Sequence, residues 1–207
     1  MSKKTKRPED REIGYKFLTP FMRPLFKFFY SPKIIGAEKI PSDAAVVIAG
    51  NHKHIYDQCL TIMATKRVIH YMAKKEYFEG GLAPFFRAVG CIPVDRSKRD
   101  LSSVKSAMKV LKEGGAIGIF PEGTRNKTNE FLLRFKTGAV SMAKRSDAYI
   151  VPFGLTGDYK FRSKNLTVRY GEPFKVDNMT VEEANQSLYH EVERLMRENL
   201  EEEVKTA

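Results

Sequence analysis

Past Pro32 the chain alternates short apolar runs with longer stretches whose apolar residues recur at helical spacing. Residues 44–49, 68–73, 91–94, 116–120 and 149–153 are largely apolar runs of strand length, bounded by turn residues. Runs of this kind read as buried strands. Residues 166–170 read as an edge strand. Between them, 57–66, 82–89 and 138–145 read as helices. Asp100 caps a further helix whose apolar positions Leu101, Val104, Met108 and Leu111 close at Gly114-Gly115. Thr180-Val181-Glu182-Glu183 is a capping box. It opens a long C-terminal helix through Leu188, Val192, Leu195 and Leu200. Strands alternating with helices predict an α/β fold: a single domain with a mostly parallel central sheet flanked by helices. No internal repeat or low-complexity segment breaks the pattern.

The chain has 207 residues, enough for one domain with a real core. Its net charge of +11 calls for an anionic partner: nucleic acid, a membrane surface or a phosphorylated substrate. The charge is uneven. Lys3, Lys4, Lys6, Arg7, Arg11, Lys16, Arg23 and Lys27 crowd the start, around an aromatic-rich stretch over 15–30 that Pro20 and Pro24 interrupt. Aromatics interleaved with Lys and Arg suit the headgroup boundary of an anionic bilayer; the alternative is an ordinary helix packed on the domain. Residues 1–34 are therefore expected to be an amphipathic segment contacting the membrane, with the chemistry carried by 35–207. No apolar run approaches the roughly 20 residues of a membrane span, and no secretory leader is expected. Cys59 and Cys91 form neither a disulfide framework nor a zinc spacing, so reducing conditions are expected.

The candidate chemistry starts at Asn51-His52-Lys53-His54-Ile55-Tyr56-Asp57, directly after the first strand. Five residues along an ideal helix turn through about 500°, so His52 and Asp57 would not share a helical face. They meet only if the chain changes direction between them. A strand ending near Gly50 and a helix starting near Ile55 supply that change. A carboxylate so placed holds the imidazole in one tautomer and prepares it as a general base. Three more punctuated segments fall at strand ends, where α/β proteins bind ligands: Gly90-Cys91-Ile92-Pro93-Val94-Asp95-Arg96, Phe120-Pro121-Glu122-Gly123-Thr124-Arg125 and Ile150-Val151-Pro152-Phe153-Gly154. In the second, Pro121 and Gly123 force a turn and Arg125 offers a fork of donors suited to phosphate. Glu122 cannot bind an anion and is expected to orient an arginine or a backbone group.

Taken in order, these four segments closely resemble the four motifs of the glycerolipid acyltransferases, over roughly residues 35–175. The resemblance implies a membrane-associated enzyme with an acyltransferase domain at 35–207. It would move a fatty acyl group from a thioester to a glycerol hydroxyl. The best match is to the branch that acylates 1-acylglycerol-3-phosphate (lysophosphatidic acid) at its sn-2 hydroxyl to give phosphatidic acid. Glycerol-3-phosphate or another lysophospholipid is the alternative acceptor. The resemblance makes His52 the general base, Asp57 its orienting partner, and the Glu122-Gly123-Thr124-Arg125 turn the phosphate grip, with Arg125 as its cation. Arg96 falls on a further motif position that would help the grip, Lys74 on the position of a phosphate-contacting lysine, and Val151-Pro152 shapes the wall. The implied co-substrate is an acyl-CoA or acyl-carrier-protein thioester, with no cofactor and no metal. The implied location is the cell membrane, peripherally and on the cytoplasmic side.

One position departs from the family pattern: His54 stands where serine is usual. A second imidazolium so close would depress the basicity of His52, although a purely structural role for His54 is expected. His70 and His190 match no motif and are also expected to be structural. Two other classes compete. His52-Lys53-His54 could open a dinuclear zinc site, but such sites need further clustered His or Asp ligands. Nucleic-acid binding fits the charge, but the densest basic residues lie among apolar aromatics and carry no nucleic-acid fold signature.

Overall fold

The structure is a computed structural model and describes residues 13–95, 97 and 100–206. The strands are β1 (Lys33–Ile35), β2 (Val46–Gly50), β3 (Ile69–Lys74), β4 (Ile92–Val94), β5 (Ala116–Ile119), β6 (Tyr149–Thr156) and β7 (Thr167–Tyr170). The helices are α1 (Ile13–Tyr30), α2 (Asp57–Ala64), α3 (Ala83–Ala88), α4 (Leu101–Lys112), α5 (Gly138–Ser146) and α6 (Val181–Thr206). The strands form one seven-stranded sheet in the order β1-β7-β6-β2-β5-β3-β4, parallel except where β7 runs against β6. The parallel α/β expectation holds.

Both faces of the central strands are buried, as parallel sheets require. Side chains alternate between faces. Val47, Ala49, Ile117 and Ile150 point into a core with Leu111, Val140, Leu188 and Val192 of α4, α5 and α6. Val46, Ile48, Ile69, Val151 and Phe153 point the other way, toward Leu60 of α2 and Phe26 of α1. Arg67 closes the end of the sheet where the parallel strands begin. Its guanidinium donates to the carbonyls of Pro41, Ala44 and Gly114 at 2.6–2.7 Å. The expected caps also form. Asp100 accepts from Ser102 and Ser103 N–H at the start of α4, and Thr180 and Glu183 exchange the reciprocal bonds of a capping box.

Two expectations are corrected. Residues 167–170 are not at an edge: β1 pairs with β7 in register Ile34↔Val168 and takes the edge itself. β1 has three residues and no apolar alternation, so its pairing is decided by a partner far along the chain. It also straddles the expected boundary at residue 34.

The prolines do not interrupt the N-terminal segment either; α1 is one helix containing Pro20 and Pro24. Each removes one backbone donor, and both lie on the exposed side. Packing of the other side sustains the helix. Tyr15 and Phe26 are buried there, Tyr15 Oη donates to Arg67 O at 3.2 Å, and Arg23 donates to Ile62 O and Thr65 O. Gly14 lets α1 approach α3, since a Cβ there would lie 2.6 Å from Ala88. What α1 leaves outward is a stripe at positions 17, 21, 25 and 28: Phe17 is 68% exposed, Phe21 66%, Leu25 59% and Phe28 56%. Residues 1–12 of the expected membrane segment lie outside the described residues. Among the described residues no helix is long and apolar enough to cross a membrane.

β2 ends at Gly50 because only glycine fits there. A Cβ would overlap the carbonyl oxygen and ring of Phe153 on β6. Gly50→Ala is therefore expected to destabilise the protein by about 1–3 kcal/mol. Gly80→Ala, which meets open space, should stay within about 1 kcal/mol. Urea unfolding of the two variants against the parent measures the difference.

Candidate active site

β2 and β5 end side by side, Ala49 pairing with Ile119, and both release their loops at the carboxyl edge of the sheet. Asn51 continues the β2–β6 ladder with its side chain. Its amide accepts from Leu155 N at 2.8 Å and donates to Leu155 O at 2.9 Å. The chain then turns, and α2 begins at Asp57. The reversal brings His52 Nδ1 to 2.7 Å from Asp57 Oδ2.

Asp57 is fully buried and takes four hydrogen bonds. Oδ2 accepts from His52 Nδ1 and from the backbone N–H of Lys53 and His54 at 2.7 and 2.8 Å. Oδ1 accepts from Tyr159 Oη at 2.6 Å. Only an acceptor-only carboxylate satisfies four donors at once. With Nδ1–H pointed at the carboxylate, the neutral His52 ring keeps its lone pair on Nε2. Phe120 stacks on the ring at 4.0 Å between centroids.

The loop after β5 grips the backbone of His52 on both sides. Glu122 Oε1 accepts His52 N–H at 2.5 Å, and His52 O accepts Asn126 N–H at 2.7 Å. The other Glu122 oxygen accepts Leu133 N–H at 3.1 Å. Glu122 is 4% exposed, so it is spent on backbone and does not face open space. Burial raises its carboxyl above the usual range, against the lowering effect of the two N–H donors. Gly123 adopts the left-handed conformation, φ 72°, that the turn needs. A Cβ there would sit 2.8 Å from Lys136 Nζ.

Thr124 and Arg125 project from this turn and are exposed. Lys74 lies at the same edge of the sheet, paired in register with Val94. Among the described residues Lys74, Arg125 and Lys136 have no side-chain hydrogen bond or ion pair. Arg96 lies outside the described residues. Val151 and Pro152 are buried in β6 beside Ile48 and Ala49.

His54 turns away from His52. Its ring stacks on Tyr159 at 4.4 Å and its Nδ1 accepts Tyr56 N–H at 3.3 Å. His70 is buried with Nδ1 on Gly90 O, and His190 is a surface residue near Glu193. Among the described residues no group of three or more His, Cys, Asp or Glu could hold a metal. Burial, then the charge of Asp57, pushes the Cys59 thiol up to about 11, so it is no ready nucleophile.

A family model described as Acyltransferase matches residues 31–156, more than half of the chain. The chain belongs to the acyltransferase family. A 1-acyl-sn-glycerol-3-phosphate acyltransferase of Bacillus subtilis is 33% identical to this acyltransferase over 165 residues, 77% of this chain and 81% of its own length. One of the same name from Borreliella burgdorferi is 34% identical over 144 residues, 67% of this chain and 56% of its own. The crystal structure of the 1-acyl-sn-glycerophosphate (LPA) acyltransferase PlsC from Thermotoga maritima superposes with a TM-score of 0.75 at 22% identity. It covers 91% of this chain and 82% of its own. At that identity the likeness is one of fold.

Tyr159 and Lys136 were not legible beforehand. Tyr159 lies in a polar loop that matches no motif, and Lys136 reaches the turn only through the path of the chain after Glu122. The sole prior signal at Tyr159 is the aromatic–basic alternation of Tyr159-Lys160-Phe161-Arg162.

The raised Glu122 carboxyl makes a pH-dependent contribution with a definite sign. A carboxyl whose folded value lies above its unfolded value of about 4.5 binds its proton more tightly in the native state. The stability it contributes is full below the unfolded value and falls as pH rises through the folded one. The stability difference between the parent and Glu122→Gln should therefore shrink as pH rises from about 4 to neutrality. Denaturant melts across that window give the slope directly.

Proposed function

We propose that this acyltransferase moves a fatty acyl group from an acyl-CoA or acyl-carrier-protein thioester to the sn-2 hydroxyl of 1-acylglycerol-3-phosphate, making phosphatidic acid. The observation that carries the reading is the 2.7 Å bond from His52 Nδ1 to Asp57, which leaves Nε2 as the free base. The names of the relatives support lysophosphatidic acid as the acceptor. Arg125 and Lys136, unspent beside the turn, suit its phosphate, with Lys74 at the same edge.

An alcohol is a weak nucleophile until its proton is taken. Nε2 accepts that proton as the hydroxyl oxygen attacks the thioester carbonyl. The tetrahedral intermediate then collapses, the carbon–sulfur bond breaks and the thiolate leaves. The imidazolium returns the proton to sulfur. Asp57 stabilises the imidazolium and holds the ring throughout. No covalent enzyme intermediate and no cofactor enters this scheme.

The site is read as working at a lipid surface, held peripherally on the cytoplasmic side. The exposed stripe of Phe17, Phe21, Leu25 and Phe28 supports this, with Lys16 and Lys27 exposed beside it. Aromatic and aliphatic side chains enter the headgroup boundary while the lysines meet anionic lipid.

The test of the reaction supplies purified protein in mixed micelles with a labelled acyl thioester and either 1-acylglycerol-3-phosphate or glycerol-3-phosphate. Labelled phosphatidic acid from the lyso acceptor is expected. Product from glycerol-3-phosphate alone would replace the acceptor assignment, and no product from either would refute the reading. His52→Ala is expected to lower kcat by at least about 10²–10⁴-fold. Arg125→Ala should raise the acceptor KM about tenfold with little change in kcat. For the surface, replacing Phe17, Phe21 and Leu25 together by serine should abolish sedimentation with anionic vesicles. Because all three are exposed, the melting temperature should hold within a few degrees.

A further inference from the structure

The loop between β6 and β7 touches the Asp57 carboxylate at one point and the exposed aromatic end of α1 at another, two residues on. It starts at Gly157, whose φ of 81° and lack of Cβ let Asn165 O close against it. Asp158 N–H donates to Asn165 Oδ1 at 3.2 Å, and Ser163 Oγ donates to Asp158 O at 3.0 Å. Arg162 and Lys164 both take the left-handed conformation, φ 50° and 61°, which costs energy for residues with a Cβ. The loop is therefore folded back on itself between its two contacts.

Its inner contact is Tyr159. The hydroxyl donates to Asp57 Oδ1 at 2.6 Å while the ring stacks on His54. Phe26, Tyr30 and Tyr56 surround that ring at 5.6–6.2 Å. Burial and then the neighbouring Asp57 charge raise the phenol far above its usual range, so it remains a donor. Lys53 Nζ also donates to Gly157 O, joining the loop to the residue after His52.

The outer contact is with α1. Arg162 N–H donates to Phe29 O at 2.7 Å, and the Arg162 guanidinium lies 5.9 Å from the Phe28 ring centre. Phe161 is 64% exposed and packs edge-on against Phe28 and Phe29. It thereby extends the aromatic stripe onto the loop.

We propose that Tyr159 is a positioning residue for the His52–Asp57 pair, set by this loop according to whether the Phe28–Phe29–Phe161 end of the aromatic face is seated on lipid. Tyr159 touches no reacting atom; it acts by holding Asp57 Oδ1 while Oδ2 holds His52. The link to lipid rests on the reading of α1 as the membrane face. The link from Tyr159 to Asp57 does not.

Tyr159→Phe keeps the ring stack and removes only the hydroxyl, so the fold should survive. The first readout is acyl transfer between a short-chain acyl thioester and a short-chain, monomeric lysophosphatidic acid. The variant is expected to lose about 10–100-fold in kcat with acceptor KM nearly unchanged. The charged groups nearest His52 are Asp57, Glu122 and Lys53, while the His54 ring is turned onto Tyr159. With those intact and the Asp57 charge no longer shared with a phenol, the acidic limb of the pH–rate profile should move to higher pH. Unchanged kcat and profile would overturn the positioning role.

The second readout adds vesicles of phosphatidylglycerol and phosphatidylcholine to the same soluble substrates. The parent should speed up several-fold, and Tyr159→Phe and Phe161→Ser should not. A parent that sediments with the vesicles but is not accelerated would overturn the coupling while leaving membrane docking intact. A parent that fails to sediment would overturn both. A third readout needs no turnover: the low-field proton resonance of His52 Nδ1–H, assigned by its loss in His52→Gln. It should broaden or shift in Tyr159→Phe. That keeps the positioning claim testable even where acyl transfer is not seen.

Discussion

The carboxylate of Asp57 is the point on which the reactive end of the molecule is assembled. It is fully out of water and accepts from three successive residues of the loop before α2 and from Tyr159, more than 100 positions later. A buried carboxylate is costly unless donors replace its water. Here they do, and the same bonds fix the path of the loop, the tautomer of His52 and the seat of Tyr159. The dependence runs both ways. Gly50 and the paired amide of Asn51 end β2 where His52 can swing back over α2, and without that turn the four donors could not converge.

Exposure divides the labour around this centre. The acids are interior and committed: Asp57 to the loop that carries His52, Glu122 to the backbone of His52 and Leu133. The cations Lys74, Arg125 and Lys136 stand at the rim with no side-chain partner among the described residues. Buried acids give geometry, and rim cations give a positive field at the carboxyl edge of the sheet. The arrangement explains why Glu122 is buried in a turn whose next residues are exposed: its carboxylate holds the backbone of His52 and Leu133 while Thr124 and Arg125 face outward.

Much of this was legible in the chain. The central strands are continuous apolar runs because both their faces are covered, and a run of that kind has few other readings. The spacing of His52 and Asp57 rules out a shared helical face, and the strand before them with the helix after supplied the reversal that lets them meet. What escaped was decided by distant partners. Lys33-Ile34-Ile35 is too short to carry a periodic signal, and its pairing with β7 turned a supposed edge into an interior strand. Pro20 and Pro24 look like breaks when local propensity is weighed, and packing against Arg67, Ile62 and Ala88 overrides that propensity. Tyr159 sits in a loop of alternating aromatic and basic residues that matches no motif; only the three-dimensional return of the chain brings it to Asp57.

The two prolines of α1 make its helix conditional on the rest of the domain. Each weakens an isolated helix by about 3 kcal/mol, so this segment cannot hold its helix alone. The groups that hold it lie at Ile62, Thr65, Arg67 and Ala88. Loosening those anchors would therefore cost the whole of α1, including the row of side chains it presents outward, and not a local contact alone.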